Sequence, residues 1–279
     1  MCIRDRFDTD VPVPEPLGFC ESPDITGAWF YVMGCVDGHP LYGVEDAEMY
    51  VPPENRVATG DSFIDVLAAL HDLAPEALGL SDLGKHDSYI GRQLKTWYRS
   101  WTASIEHAEY DDRRAHEFQE YFLAKMPEQG PIRVVHGDYG LHNTLIGKDG
   151  RVAAVVDWEI STLGDPLADL GYALNQWSEP GDVIIGSPGG ATTVGGFALK
   201  QYLIDRYAER TGRDLSMLDY YIAFNRWKTA CILHGVYARY MAGQKSTEGV
   251  ELETLRLRIE SSLDKAGEAI ERLEAQMSR

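Results

Sequence analysis

The sequence predicts an α+β fold, in which a mostly helical lobe holds a short β-hairpin and a second hairpin lies near the N-terminus. Apolar residues recur at steps of three and four over most of the chain after residue 60, as in packed helices. Around residues 132–156 the pattern changes to short β-branched runs, and another such run occupies residues 28–36. With 279 residues, 44% of them apolar, the chain can bury a globular core.

The N-terminal hairpin is predicted from two strand-like runs on either side of a turn. Prolines at positions 12, 14 and 16 exclude a helix, and Leu17 to Cys20 form the first candidate strand. The turn-rich letters SPDITG follow. The second strand is AWFYVMGCV, residues 28–36, which ends in a connection rich in Gly and Pro.

Three helices are predicted after this hairpin. Asp61 is expected to cap the first, which ends before Pro75, and the third is expected to stop at Pro127. All three have an apolar stripe at helical spacing. The stripes are Phe63, Leu67 and Leu70 in the first helix, Ile90, Leu94, Trp97, Trp101 and Ile105 in the second, and Phe118, Tyr121 and Phe122 in the third.

The central β unit and the final helices come next. The unit consists of the strands IRVV and NTLI, the turn GKDG and the buried strand RVAAVVDW. Asp165 before Pro166 predicts an N-cap and a helix through about Trp177. Two long helical patterns, about 214–242 and 250–275, close the chain. Another helix before them has the stripe Leu199, Leu203 and Tyr207 and ends at Gly212.

Charge and cysteine content argue against several classes of protein. The formal net charge of -18 argues against sequence-independent binding to nucleic acid, which needs a basic surface. The four cysteines are too scattered for a metal knuckle or a disulfide framework, so a reducing cytoplasm is the simplest location. Neither a membrane-spanning apolar run nor the apolar core of a signal peptide is present, and we expect no contact with a membrane.

The stretch VVHGDYGLHNTLI, residues 134–146, has the features of a phosphoryl-transfer loop. This chemistry needs a carboxylate that orients and deprotonates the attacking hydroxyl, and oxygen ligands for Mg²⁺. Asp138 and Asn143 have the Asp-to-Asn spacing of the catalytic loop in protein kinases. Asp157 ends the VAAVVD strand, and the intervening hairpin is expected to return it to the side of Asn143.

Each of these features also has an ordinary structural interpretation. A His-Gly-Asp triplet fits a β-turn, and an Asp after an apolar strand fits a turn cap. Their occurrence together, in order and around a hairpin, favours the functional interpretation. His136 is expected to brace the loop by hydrogen bonds rather than to act as a base. His142 is expected to be a loop residue rather than a ligand.

On these motifs, HGDYGLHN and VVDWEISTLGDPLADLGY, the sequence resembles the aminoglycoside phosphotransferase and choline kinase superfamily. Members of that superfamily share a protein-kinase-like fold and phosphorylate small-molecule hydroxyl groups with ATP. Segments such as TDVPVPEPLGFCE, FYVMGCVDG and GVYARYMAGQ are similar to the bacterial branch related to the kinase-like region of some acyl-CoA dehydrogenases. The resemblance extends from Thr9 to about Gln244.

The resemblance implies ATP and Mg²⁺ as cofactors and a hydroxyl-bearing small molecule as the substrate. It implies that Asp138 is the catalytic base and that Asn143 and Asp157 bind Mg²⁺. Asp165 and Asp169 resemble the structural acids that brace the catalytic loop in the family. Helix capping is an equal alternative for Asp165.

The resemblance also identifies YVMGCV as the hinge whose backbone meets the adenine of ATP. Its implied contacts are Met33, Gly34 and Val36. At Gly34 and Cys35 the sequence departs from the Glu-aromatic pair expected in a hinge, so the side-chain contacts there stay open.

The phosphate-clamping half of a kinase site is expected to be missing. A kinase-like lobe has a Gly-rich loop and a strand Lys before the hinge, whereas the first Lys here is Lys85. We therefore expect an N-terminally truncated chain, with a lobe remnant at 1–36, a helical lobe at 37–279 and little or no kinase activity of its own. The later GSPGGATTVGG lacks the Lys that follows a P-loop and is predicted to be a substrate-side loop.

Two other functions stay open from the residues. The chain could be a non-catalytic small-molecule-binding or regulatory module, although such a module has no chemical need for the complete Asp138, Asn143 and Asp157 set. It could also be a metal-dependent hydrolase, although neither G-x-S-x-G nor H-E-x-x-H accompanies the carboxylates.

The identity of the acceptor and the oligomeric state are not predicted. The pocket is expected near Trp97, Trp101 and residues 214–242. The acceptor could be a cation of the aminoglycoside or choline type, a hydroxylated acyl compound or another small metabolite. Aromatic residues at helical spacing in 214–242 are expected to be core residues rather than ligand contacts. They are Tyr220, Tyr221, Phe224 and Trp227.

Overall fold

Helices form most of the structure, a computed structural model that describes residues 9–185 and 190–278. The α+β prediction is confirmed, because these residues form eight α-helices and six short strands. The helices are α1 (Val44–Tyr50), α2 (Arg56–Asp72), α3 (Tyr89–Ala108), α4 (Arg113–Ala124), α5 (Pro166–Gln176), α6 (Lys200–Thr211), α7 (Leu218–Met241) and α8 (Leu252–Met277). The strands are β1 (Pro16–Cys20), β2 (Phe30–Met33), β3 (Arg133–Val135), β4 (Thr144–Ile146), β5 (Val152–Val155) and β6 (Thr162–Gly164).

The strands pair into three antiparallel sheets of two strands each. β1 pairs with β2, and β4 pairs with β5, so both predicted hairpins are confirmed. β3 pairs with β6, which the sequence analysis did not predict. The three residues of β6 are too few to show a strand pattern. Helix α1 was also missed, because seven residues carry little helical periodicity.

The second strand of the N-terminal hairpin is shorter than predicted. The prediction of residues 28–36 was too long, since β2 covers four residues. The N–H of Gly34 still donates to the carbonyl of Glu15 at 2.8 Å. Beyond that point the facing segment contains Pro14, and proline has no N–H with which to extend the ladder.

Both flanks of the N-terminal hairpin attach to the β4–β5 hairpin. On one side the N–H of Val155 donates to the carbonyl of Pro12 at 2.8 Å. On the other side His39 and Ile146 exchange two backbone hydrogen bonds, of 2.9 and 3.0 Å. Between these anchors the hairpin exposes large apolar side chains. They are Leu17, Phe19, Ile25, Trp29, Tyr31, Val32 and Met33.

Helix α2 begins five residues before the predicted cap. It follows directly from the 3-10 turn Pro53–Asn55, so Asp61 lies within the helix, and the prediction that it caps the helix was wrong. A Cβ on Gly60 would lie 2.9 Å from the Cβ of Ala198, which shows how closely α2 meets the segment before α6. Packing therefore maintains a helix through a residue with poor intrinsic helix propensity.

Helix α7 is the centre of the C-terminal half, where it packs against α3, α5 and α8. The prediction that its aromatic residues belong to the core is confirmed, since Tyr220, Tyr221, Phe224 and Trp227 are buried. Trp101 of α3 is fully buried as well, whereas Trp97 borders an open groove. Within the two described ranges, no helix combines the length and the apolar character needed to cross a bilayer.

The buried stripe of α6 is shorter than predicted. Leu203 and Tyr207 are buried, but Leu199 precedes the helix and is 56% exposed. Its place in the predicted stripe was therefore wrong. The predicted end of this helix at Gly212 is confirmed, since that residue has a φ of 63° and its N–H donates to Ala208.

Gly171→Ala should destabilise the protein, because α5 and α7 meet there. A Cβ at this position would lie 2.9 Å from the carbonyl carbon of Tyr221. Overpacking of this kind costs about 1–3 kcal/mol. Alanine normally stabilises a helix interior by about 0.5–1 kcal/mol relative to glycine. Gly235→Ala in α7 is the control and should show this stabilisation, because the nearest atom to an added Cβ there is Ser100 Oγ at 3.5 Å. Urea unfolding should give opposite signs for the two variants, and equal signs would contradict this packing account.

Candidate active site

The turn after β3 presents Asp138, the predicted base. Gly137 within this turn has a φ of 86°, and a Cβ there would lie 3.3 Å from the side chain of Ile160. Both features favour glycine. A 3-10 turn at Leu141–Asn143 then leads into β4. The loop between β3 and β4 thus holds Asp138 and Asn143 on a short, tightly packed backbone.

A buried carboxylate on α5, that of Asp169, holds this turn in place. It accepts hydrogen bonds from the N–H groups of His136 at 2.7 Å and Gly137 at 2.9 Å. The Nε2 of His71 on α2 lies 3.3 Å from the same carboxylate, and Tyr207 donates to the other ring nitrogen at 2.7 Å. Burial acts to raise the pKa of Asp169, but the hydrogen bonds from His71 and from the backbone outweigh it and hold the pKa below its usual value.

Three side chains donate hydrogen bonds to the half-buried carboxylate of Asp138. Tyr172 and His142 donate to Oδ1, the latter at 3.3 Å, and Asn143 Nδ2 donates to Oδ2 at 3.1 Å. Burial acts to raise the pKa of Asp138, but the bonds from His142 and Tyr172 outweigh it, so the pKa lies below its usual value. A carboxylate can accept about four hydrogen bonds, so one position, on Oδ2, is left for a further donor.

Tyr172 was missed by the sequence analysis. Burial and the neighbouring Asp138 raise the pKa of its phenol, so the hydroxyl stays protonated and donates. A signal was present, because Tyr172 follows Asp169 by three residues on α5 and therefore shares its helix face. His71 had no such signal, because it lies in the apolar helix α2 and contacts the site only through the tertiary fold.

His136 is fully buried and hydrogen-bonded on both sides of its ring. Its Nε2 donates to the carbonyl of Val156 at 2.9 Å, and its Nδ1 accepts from the N–H of Asp138 at 3.3 Å. Burial lowers the pKa of the imidazole despite the nearby carboxylates. A neutral ring in this arrangement links the loop to the end of β5, while His142 contacts Asp138 from within the loop.

Asn143 and Asp157, the predicted metal ligands, lie at the same end of the β4–β5 hairpin. The carbonyl of Asn143 accepts from the N–H of Val156 at 2.9 Å, next to Asp157. The carboxylate of Asp157 is exposed and has no hydrogen-bond partner among the described residues, and its φ is 63°. No group of three or more His, Cys, Asp or Glu side chains in 9–185 and 190–278 is arranged to hold a metal. Two oxygen donors beside open solvent nevertheless suit Mg²⁺, which usually keeps several waters.

Asp165 acts as the N-cap of α5. Its Oδ1 accepts from the N–H of Leu167 at 2.9 Å, and its Oδ2 accepts from the hydroxyl of Tyr221 at 2.7 Å. The capping alternative therefore describes its observed contacts, whereas Asp169 contacts the loop directly.

The predicted hinge, residues 33–36, connects the N-terminal hairpin to the segment that pairs with β4. The N–H of Gly34 donates to the carbonyl of Glu15, but the N–H of Val36 has no partner among the described residues. Met33 is partly exposed at the end of β2. Of the predicted substrate-side loop, residues 186–189 lie outside the described residues. Thr192, in its second half, is buried and donates to the carbonyl of Ser178.

The sequence is similar to known phosphotransferases and to one part of larger proteins. Residues 4–212 match the family described as "Phosphotransferase enzyme family". Acyl-CoA dehydrogenase family member 11 from Gallus gallus is 33% identical over 249 residues, covering 87% of this chain and 31% of that protein. Family member 10 from Mus musculus is 32% identical over 247 residues, covering 85% of this chain and 22% of that protein. The chain thus spans less than a third of the length of these relatives.

Solved structures show the same fold. A Ralstonia eutropha protein provisionally assigned as an aminoglycoside phosphotransferase is 29% identical, with a TM-score of 0.79 over 95% of this chain and 80% of that one. A spectinomycin phosphotransferase, solved with ADP and spectinomycin, is 14% identical, with a TM-score of 0.58 over 96% of this chain and 80% of that one. The predicted protein-kinase-like fold is thereby confirmed.

Asp169→Asn should destabilise the protein by about 3–5 kcal/mol, because the amide nitrogen cannot accept a hydrogen bond and at least one of the buried donors around it would lose its acceptor. The lowered pKa of Asp169 also fixes the pH dependence. The wild type should exceed the variant in free energy of unfolding by the full amount above pH 4 or so, since about 4 is the pKa of the carboxyl group in the unfolded chain. This difference should shrink as the pH falls through the lower pKa of Asp169 in the folded state. Urea unfolding from pH 3 to 8 measures both effects, with the exposed Asp87→Asn as control. A difference independent of pH would contradict the account.

Asp157→Gly should be more stable than Asp157→Ala by about 1 kcal/mol, because only glycine adopts a left-handed backbone without strain. Both variants lose the carboxylate and should bind Mg-ATP less tightly than the wild type. Thermal unfolding and calorimetric titration measure the two effects separately. Equal stability of the Gly and Ala variants would show that residue 157 is free to leave this conformation.

Proposed function

The chain belongs to the phosphotransferase enzyme family, and on that premise we propose that it supplies the base and the metal ligands for transfer of the γ-phosphoryl group of ATP to a hydroxyl group of a small molecule. Its own rate of transfer is expected to be low, because no Gly-rich loop or strand Lys precedes the hinge. The observation that carries the proposal is the set of contacts around Asp138. An ionised carboxylate, held by Tyr172, His142 and Asn143, keeps one acceptor position for a hydroxyl hydrogen.

The low pKa of Asp138 defines how it would act. The carboxylate is ionised at neutral pH and is a weak base, so its main work would be to orient the acceptor hydroxyl. The proton would pass to Asp138 late, once the phosphoryl group has begun to bond to the hydroxyl oxygen. The Tyr172 hydroxyl and the Asn143 amide would keep the carboxylate oriented toward the acceptor hydroxyl during the reaction.

Mg²⁺ would be held by the side-chain oxygens of Asn143 and Asp157. Both Asn143 Nδ2 hydrogen bonds run to Asp138, which leaves the amide oxygen of Asn143 available as a ligand. When bound, the metal supplies positive charge that neutralises the phosphate oxygens. The N–H of Val36 in the hinge, which has no partner within the part of the chain that the structure describes, supports nucleotide binding, as do the nucleotide-bound proteins of the same fold.

Asp138→Asn tests the proposal directly, because it keeps the shape of the side chain and removes the base. We expect phosphoryl transfer from labelled Mg-ATP to fall by about 10²- to 10⁴-fold. Single-turnover assays with a panel of hydroxylated small molecules measure the transfer, with Asp87→Asn as an exposed control. Transfer by Asp138→Asn at the wild-type rate would refute the role of Asp138. Binding of the panel without any nucleotide-dependent transfer would instead favour a non-catalytic module.

A further inference from the structure

Lys228 on α7 has an environment that the proposed reaction does not yet explain. Its ammonium lies over two aromatic rings, 5.8 Å from the centre of Trp97 on α3 and 5.6 Å from that of Tyr172 on α5. Faces of aromatic rings attract a cation, which favours a defined position for this long side chain. Three helices thus converge on one ammonium group.

Lys228 has no anionic partner in the described part of the chain. Among residues 9–185 and 190–278, no carboxylate oxygen lies within the 4.0 Å of an ion pair, and no hydrogen bond involves its ammonium. The side chain is half-buried, and burial lowers the pKa of the ammonium although Asp169 and Asp138 act to raise it. In a chain with 44 acidic residues, a partly buried lysine without a carboxylate is unusual.

Tyr172 connects Lys228 to the proposed base. Its hydroxyl donates to Asp138, while its ring faces the ammonium. Lys228 is therefore separated from the reacting carboxylate by a single side chain. On the other side, Trp97 also lines an open groove of about 440 Å³ between α3 and α7. The groove continues past Ser104 and Ile232 to Arg239.

The charge in this position discriminates between classes of acceptor. A cationic molecule whose hydroxyl reached Asp138 would bring its own charge close to an unpaired ammonium, and like charges that are poorly solvated repel strongly. An anionic group would pair with that ammonium and offset the cost of its burial. The local arrangement thus favours an anion although the whole chain is acidic.

We propose that Lys228 binds an anionic group of the acceptor, so that the substrate is an alcohol bearing a carboxylate or a phosphate rather than an amino sugar. The proposal rests on the proposed function, since it assigns the acceptor side of the same site. Lys228 is a specificity residue in this scheme. Asp138, on the other side of Tyr172, receives the hydroxyl of the same molecule.

Calorimetric titration without nucleotide tests the proposal with pairs of alcohols that differ in charge. The carboxylate pairs are 3-hydroxybutyrate and 3-hydroxyoctanoate, each against its amide, and the phosphate pair is glycerol 3-phosphate against glycerol. For the wild type we expect at least one anion to bind about tenfold or more tightly than its neutral partner. Which pair shows the preference distinguishes a carboxylate from a phosphate.

Three variants assign the preference to the charge at position 228. Lys228→Met should reduce the anion preference to less than about twofold. Lys228→Arg should retain most of the preference, because it keeps the positive charge while changing the packing. Lys245→Met is the matched control, because that exposed lysine also lies over a tyrosine ring, 5.8 Å from Tyr240, but outside the site. It should leave the preference unchanged. Circular dichroism verifies that each variant is folded.

Two results would overturn the proposal. One is a wild type that binds no anion more tightly than its neutral partner, and the other is a preference that persists in Lys228→Met. Because these titrations need no phosphoryl transfer, they are independent of the assay on Asp138→Asn. An anion preference without transfer would leave this inference standing and contradict only the proposed transfer. Transfer without any anion preference, the first of the two results, would contradict only this inference.

Discussion

The hydrogen bonds that Asp169 accepts from the backbone of His136 and Gly137 are the constraint on which the rest of the site depends. One buried carboxylate fixes two successive N–H groups at the point where β3 becomes the loop. Helix α5, which carries Asp169, also presents Tyr172 to Asp138. The backbone of the loop and the orientation of its carboxylate are therefore set by the same rigid element. Through His71, that element is in turn tied to α2.

Features that depend on short stretches of the chain could be predicted from the sequence. The β4–β5 hairpin brings Asn143 and Asp157 to one end because they are close in sequence, and helical periodicity located α3 and α7. Contacts between remote elements could not be predicted. His71 and Lys228 lie in α2 and α7, far from the loop in sequence, and no local pattern connects either of them to Asp138. Their positions follow from the packing of helices.

The errors in the fold prediction have related causes. The start of α2 was placed at Asp61 because Asp is a favoured N-cap residue, yet the helix continues through Gly60, where it is in close contact with Ala198. The strand β2 was predicted to be too long because its composition is suited to pairing along its whole length, whereas the facing prolines lack donors. In both places the partner segment, which a single run of residues does not reveal, decided the outcome.

The attachment of the N-terminal hairpin has a mechanical consequence. Pro12 is hydrogen-bonded to β5 and His39 to β4. The two ends of the segment that includes β1 and β2 are therefore attached to neighbouring strands of one hairpin. Residues 33–36 lie in this segment, shortly before His39. Because both ends of the segment are hydrogen-bonded to the β4–β5 hairpin, the predicted hinge is anchored to the same two strands that present Asn143 and Asp157.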